Sequence, residues 1–215
     1  MEEYNCTTVC NGKQFWLYDK ADPSLVPRKC SQSTIQFCQH VTSARTTVVR
    51  KTFHKPAAYQ LEKRILQRLS KISGFPQILQ TNDELHAMHL SNCGEPIRSG
   101  NIPKDCYQQV QALGRSLFAA KIRHNDLVPH NFLIDKRRIS LIDFGRSSII
   151  GEGEDGQDGD ASQQQHKVAQ LKQQKELISL ANILCNRKAL IKYQKEQLKP
   201  KYTTAVARLQ GRKHV

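Results

Sequence analysis

His124-Asn125-Asp126-Leu127-Val128-Pro129-His130-Asn131, followed after two short apolar runs by Ile142-Asp143-Phe144-Gly145, decides how this 215-residue chain is read. Asp126 and Asn131 lie five apart in a proline-containing loop, so their side chains can converge on one point. Asp143 ends an apolar strand beside a flexible glycine. Two carboxylates and an amide oxygen are hard ligands of the kind Mg²⁺ accepts while keeping some of its waters. Phosphoryl transfer needs this set: a metal to neutralise developing charge and a carboxylate to orient the attacking hydroxyl.

The surroundings place these residues on elements. Phe132-Leu133-Ile134 and Ile139-Ser140-Leu141-Ile142 read as strands joined by a hairpin turn at Asp135-Lys136-Arg137-Arg138. Upstream, a helix from about Lys104 to Lys121 carries Val110, Leu113, Leu117 and Phe118 on one face. Further back come strands at Gln14–Tyr18, Ser33–Cys38 and Thr46–Phe53. A helix then opens at Pro56, carries Ala58, Leu61, Ile65, Leu66 and Leu69, and is stopped by Gly74 and Pro76. Strands at Gln77–Gln80 and Leu85–Leu90 complete this part.

The pattern H-x-D-L-x-P-x-N, then D-F-G after a short hairpin, resembles the catalytic loop and metal-binding motif of the protein-kinase superfamily. That resemblance implies ATP and Mg²⁺ as cofactors and Asp126 as catalytic base, with His124 supporting the loop. Asn131 and Asp143 would hold the metal. Val48-Val49-Arg50-Lys51 is similar to the strand motif V-A-I-K, so Lys51 would contact the ATP phosphates. Glu62, the only acid of the following helix, would pair with Lys51 across an interval of 11 residues. Leu85 to Glu95 would supply the last strand and the hinge, with Leu90 and Asn92 at the adenine.

Departures from the pattern narrow the kind of kinase. No G-x-G-x-x-G is present; Gly12 is the only glycine before Gly74. The backbone therefore cannot approach phosphates as a glycine loop does. Asn125 stands where an arginine would read a phosphorylated activation loop, which makes activation by that route unlike this chain. Val128 stands where serine/threonine kinases carry lysine, a wording closer to choline-kinase-like, aminoglycoside-phosphotransferase-like and fungal-type kinase-like sequences. A-P-E is missing, and only 70 residues follow Gly145. That brevity resembles the compact atypical kinases, the RIO family and the small kinase of the KEOPS complex. The ending Arg208-Leu209-Gln210-Gly211-Arg212-Lys213 is similar to the basic end of the latter.

After Gly151 the composition turns acidic and glycine-rich to Asp160, a segment unable to bury apolar area. Its aspartate spacing does not match an EF-hand, and a solvated linker is the expectation. Beyond it, Leu177, Ile178, Ala181, Leu184 and Cys185 form a helical stripe, and a more polar helix runs from Arg187 to Leu198. Charge concentrates here. The chain carries 33 basic and 19 acidic residues, +14, and Ala161–Val215 alone holds 12 against two, +10. An anionic partner, acidic protein or nucleic acid, is one reading of that tail; solvated helix faces are the other. Base stacking is not indicated, since only Tyr193 and Tyr202 are aromatic there.

Composition excludes other classes. No run approaches the ~20 apolar residues of a membrane span, and the start Met1-Glu2-Glu3-Tyr4-Asn5-Cys6 is unlike a signal peptide. Seven cysteines, an odd count, read as reduced thiols of an intracellular protein, cytoplasmic or nuclear. Zinc at Cys6, Cys10, Cys30, Cys38, His40 or His54 does not follow from their spacing. The expectation is an α+β, two-lobed kinase-like fold with a truncated helical C-lobe. Residues 1–91 form the N-lobe, 92–150 the C-lobe core, 151–166 the linker and 167–215 basic helices and tail. The expected activity is transfer of the ATP γ-phosphate to a hydroxyl, foremost on a serine or threonine of a protein. Small-molecule phosphorylation and a pseudokinase binding platform are the alternatives.

Overall fold

A computed structural model of the chain describes residues 28–29, 32–40, 43–151 and 160–196, and counts below refer to these. The expected strand at Gln14–Tyr18 and the tail beyond 196 lie outside them. Arg28–Lys29 (β1), Ser33–His40 (β2), Ser43–Phe53 (β3), Ile78–Asn82 (β4) and Ala87–Ser91 (β5) form one antiparallel sheet in the order β1-β2-β3-β5-β4. The β-branched run of β3 suits its central place. Lys51 lies opposite Met88 and Val49 opposite Leu90, so these four share one face.

Helix α1 (Pro56–Arg68) crosses between β3 and β4. Pro56 occupies the first turn, where its missing N–H costs nothing. Tyr59, Glu62, Ile65 and Leu66 are buried, at the spacing of a single helix face. Glu62 is therefore a carboxylate on the apolar side of a helix, a position that requires a partner.

The rest is mixed helix and short strand. In order come Glu95–Pro96 (β6), Cys106–Ala119 (α2), Ile122–Arg123 (β7), Phe132–Asp135 (β8), Arg138–Leu141 (β9), Ser148–Ile149 (β10) and Asp160–Leu184 (α3). A further helical stretch covers 187–196. Strands β6, β8 and β9 make a three-stranded sheet, and β10 pairs with β7. One apolar cluster runs from Phe53 and Tyr59 under the large sheet to Leu184 and Leu190, tying both parts into one α+β fold. Helices α2 and α3 pack closely: a Cβ at Gly114 would stand 2.9 Å from Leu177 Cδ1. No helix among the described residues is long and apolar enough to cross a membrane.

Three expectations change. Phe118 is 56% exposed rather than on the buried face of α2; a helix advances about 100° per residue, which carries it off the Leu117 stripe. Helix α3 begins at Asp160, inside the stretch read as linker. Aspartate at a helix start is favoured by the macrodipole, and the glutamines that follow are good helix formers. Finally, Cys106 and Cys185 form a disulfide across 79 residues, because the start of α2 and the end of α3 bring their Cα atoms to 5.6 Å. Among the described residues only Cys38 and Cys93 are free thiols.

Candidate active site

Strand β3, helix α1 and the segment after β9 meet at one ammonium. Lys51 Nζ donates to both oxygens of Glu62, at 2.9 and 2.8 Å, and to Asp143 Oδ1 at 2.9 Å. Burial alone would drive Lys51 towards its neutral form, but the attraction of Glu62 and Asp143 outweighs it and holds the ammonium above its ordinary value. Burial pushes the Glu62 carboxyl up, opposed by Lys51. Asp143 moves the other way. Burial would raise it, yet Lys51 and the Gly145 N–H hold its carboxyl below the usual range. One cation among two carboxylates leaves a net charge of −1, which favours a further cation. The Asp143 side chain is still 47% exposed, with backbone φ of +66°.

The loop 124–131 is held by neutral hydrogen bonds. Its 3-10 turn at Pro129–Asn131 brings the Asn131 amide nitrogen 2.9 Å from the Asp126 carbonyl and 3.5 Å from Asp126 Oδ2. Asn131 is buried, and its amide oxygen remains for another partner. Backbone bonding from Ile142 N–H to the Asn131 carbonyl, 2.9 Å, ties this loop to the strand that delivers Asp143. His124 is fully buried, with Nε2 3.1 Å from the Ile142 carbonyl and its ring edge-on to Phe144 at 4.8 Å. Burial keeps its imidazole below the ordinary value, against the pull of the Ile142 carbonyl and the two aspartates. A neutral ring donating through Nε2 fits that carbonyl.

Gln173 and Arg146, which the motif does not name, and Asn125, a departure from it, support the site. Gln173 of α3 accepts from His124 N–H at 2.7 Å and donates to the Ile122 carbonyl at 3.0 Å. Its signal was available: it sits at helical spacing from Leu177, Leu180 and Leu184, a polar residue in a core stripe. Asn125 donates to the Arg146 carbonyl (3.1 Å) and Ser148 Oγ (3.2 Å), so the residue in the arginine position latches the segment after Gly145 directly. Its φ of +61° suits asparagine. Arg146, 66% exposed, stands 3.9 Å from Asp126 Oδ1.

The structure thus joins Lys51, Glu62 and Asp143 in one cluster and Asp126 with Asn131 in another, linked by backbone. Leu90 is buried on the face that carries Lys51. Asn92 is exposed beyond β5, and its Oδ1 accepts from Gly94 N–H at 2.9 Å. Among the described residues no three His, Cys, Asp or Glu side chains group as metal ligands. The oxygen set here is instead two carboxylates and an amide, suited to a cation that keeps water. Gly145 leaves room beside it: a Cβ there would lie 3.4 Å from Asp143 Oδ1 and 3.0 Å from Gln32 Oε1. The donor chemistry of Asp143 and Asn131 fits Mg²⁺.

Comparison with known proteins adds three similarities. The family described as lipopolysaccharide kinase (Kdo/WaaP) matches residues 81–202, more than half of the chain. The serine/threonine-protein kinase MPS1 of Encephalitozoon cuniculi (strain GB-M1) is 42% identical over 52 residues. That stretch is 24% of this chain and 9% of MPS1, so the chain spans a small part of that curated relative's length. The solved structure of the Cydia pomonella granulovirus kinase PK-1 aligns with a TM-score of 0.47 at 20% identity, covering 58% of this chain and 54% of that one.

Proposed function

The chain belongs to the lipopolysaccharide kinase (Kdo/WaaP) family and has a protein-kinase-like fold, and from that premise we propose that it is an ATP- and Mg²⁺-dependent phosphotransferase acting on a hydroxyl, foremost of serine or threonine in a protein. The observation that carries this reading is Lys51 bonded at once to Glu62 and Asp143. A buried lysine so fixed presents a charge that stays on, at the edge of a net-negative site.

In this reading the fold has two lobes, 1–91 and 92–150, followed by the acidic stretch and the basic helices. Leu90 and Asn92 border the adenine. Lys51 steers the phosphates, and Glu62 fixes Lys51. Asn131 and Asp143 hold Mg²⁺, which when bound neutralises charge developing on the phosphate oxygens. Asp126 orients the acceptor hydroxyl and receives its proton. His124, with no exposed surface, is a positioning residue. The exposed Lys172, Lys175, Lys188 and Lys192 of the last helices offer a surface to an acidic protein or nucleic acid.

Incubation of the protein with γ-labelled ATP and a cell extract tests the reading. Wild type should label protein, and Asp126→Asn and Asp143→Ala should each lose transfer by about 10²–10³-fold. Transfer by Asp143→Ala at the wild-type rate would overturn it. The family description favours a second acceptor, a sugar hydroxyl; label entering saccharide and no protein would select that reading. Nucleotide binding without transfer would make the chain a binding platform.

A further inference from the structure

A cavity of about 560 Å³ lies apart from the cluster just described: none of Lys51, Glu62, Asp126, Asn131 or Asp143 lines it. Its walls come from the turn after α1, from the residues following β5 and from the β8–β9 hairpin. Three cations, Lys71, Lys136 and Arg138, face one carboxylate, Asp135, so the lining carries a net charge of +2. Among the described residues none of the three cations has a carboxylate within ion-pair distance. Ser73 and Asn92 add uncharged hydrogen-bonding groups.

The walls are held in place. Gln109 of α2 donates to the Arg137 carbonyl at 2.8 Å and accepts from Ile139 N–H at 2.7 Å, pinning the hairpin that carries Lys136 and Arg138. Gln77 accepts from Lys71 N–H at 2.9 Å and donates to the Ile72 and Phe75 carbonyls, fixing the opposite wall. Unpaired like charges gathered on fixed walls repel one another, and an anion relieves that repulsion. Preorganised walls also reduce the ordering cost of binding. The volume falls within the ~300–1,000 Å³ of small-molecule sites and exceeds what one phosphate fills.

We propose that this cavity is a second binding site, distinct from the Lys51–Asp143 cluster and adjoining the proposed adenine border at Asn92, for a phosphorylated small molecule. The phosphate would sit among Lys71, Lys136 and Arg138, and the remainder of the ligand against Asn92 and Cys93. Because Asn92 lines the cavity and β5 carries Leu90 on its other face, occupancy would act directly on the proposed adenine border.

Cys93 supplies a readout independent of activity. It is a free thiol, 8% exposed, in the cavity wall, and burial already pushes it above the ordinary thiol range. An anion beside it covers the sulfur and disfavours the thiolate, so alkylation slows. The full chain is treated with iodoacetamide with and without inorganic pyrophosphate at about 10 mM, a level that fills a weak, millimolar site. Alkylation of the Cys93 peptide is followed by mass spectrometry, with Cys38 as reference. Pyrophosphate should slow Cys93 about threefold or more and leave Cys38 unchanged. Lys136→Ala/Arg138→Ala, made on an exposed hairpin, should abolish the protection, and Lys71→Ala should weaken it from the opposite wall. Three results would overturn the proposal: no protection in wild type, protection that survives the double variant, or equal protection by sodium chloride at matched ionic strength.

Discussion

The Lys51 cluster and the Asp126 loop hold their functional groups by opposite means. Lys51, Glu62 and Asp143 come from three separate elements, Asp143 92 residues from the lysine, and are kept together by charge, with two of the three side chains buried. Asp126 and Asn131 come from one short loop, kept mainly by neutral bonds from Gln173, Asn125 and the backbone. A charge network fixes position only while every member is ionised. A network of amides and carbonyls is indifferent to pH but fails where one buried partner is removed. The family match, 81–202, contains the loop and Asp143 but begins after Lys51 and Glu62. The matched part thus contains the whole loop but only one of the three charged partners.

Lys51→Met should show the largest effect. It leaves the Glu62 carboxylate buried without its cation, at a cost of about 3–5 kcal/mol near neutral pH. With Lys51 gone, the folded-state value of Glu62 rises further above its unfolded one. The variant's stability therefore falls as pH rises through that interval, and its deficit narrows on acidification. Urea unfolding at two pH values checks this; a deficit that does not change with pH would mean that charge is not what holds the cluster.

Gln173→Ala tests the loop. It strips partners from His124 N–H and the Ile122 carbonyl, both in buried surroundings, and should cost about 2–3 kcal/mol with no pH dependence between 5 and 8. Thermal unfolding across that range provides the measurement, and a pH-dependent deficit would erase the contrast with Lys51. The smallest effect belongs to Asn125. Asn125→Ala loses two exposed hydrogen bonds and places alanine at positive φ, for about 1 kcal/mol; Asn125→Gly relieves the backbone and should recover part of it. If the two variants unfold alike, backbone conformation plays no part there.

What was legible in the sequence follows the same division. Asp126, Asn131 and Asp143 were visible because their spacing is local, and β3, α1 and α2 because their apolar periodicity is. Glu62 was visible as an acid in an apolar helix, but the bond that Lys51 donates to Asp143 spans 92 residues and carries no local sign. The Cys106–Cys185 pair was hidden for the same reason: a contact across 79 residues depends on how α2 meets α3. Short pairings such as β7 with β10 escaped because two residues have no period. Gln173 differs in carrying a local sign, a polar side chain where the stripe calls for leucine.

Between Gly145 and β10 stand only Arg146 and Ser147, and β10 is at once paired to β7 and latched by Asn125. Two residues leave little room for movement between Gly145 and β10. The place of Asp143 is thus set from two sides, by Lys51 on β3 and by a paired strand begun three residues after Gly145.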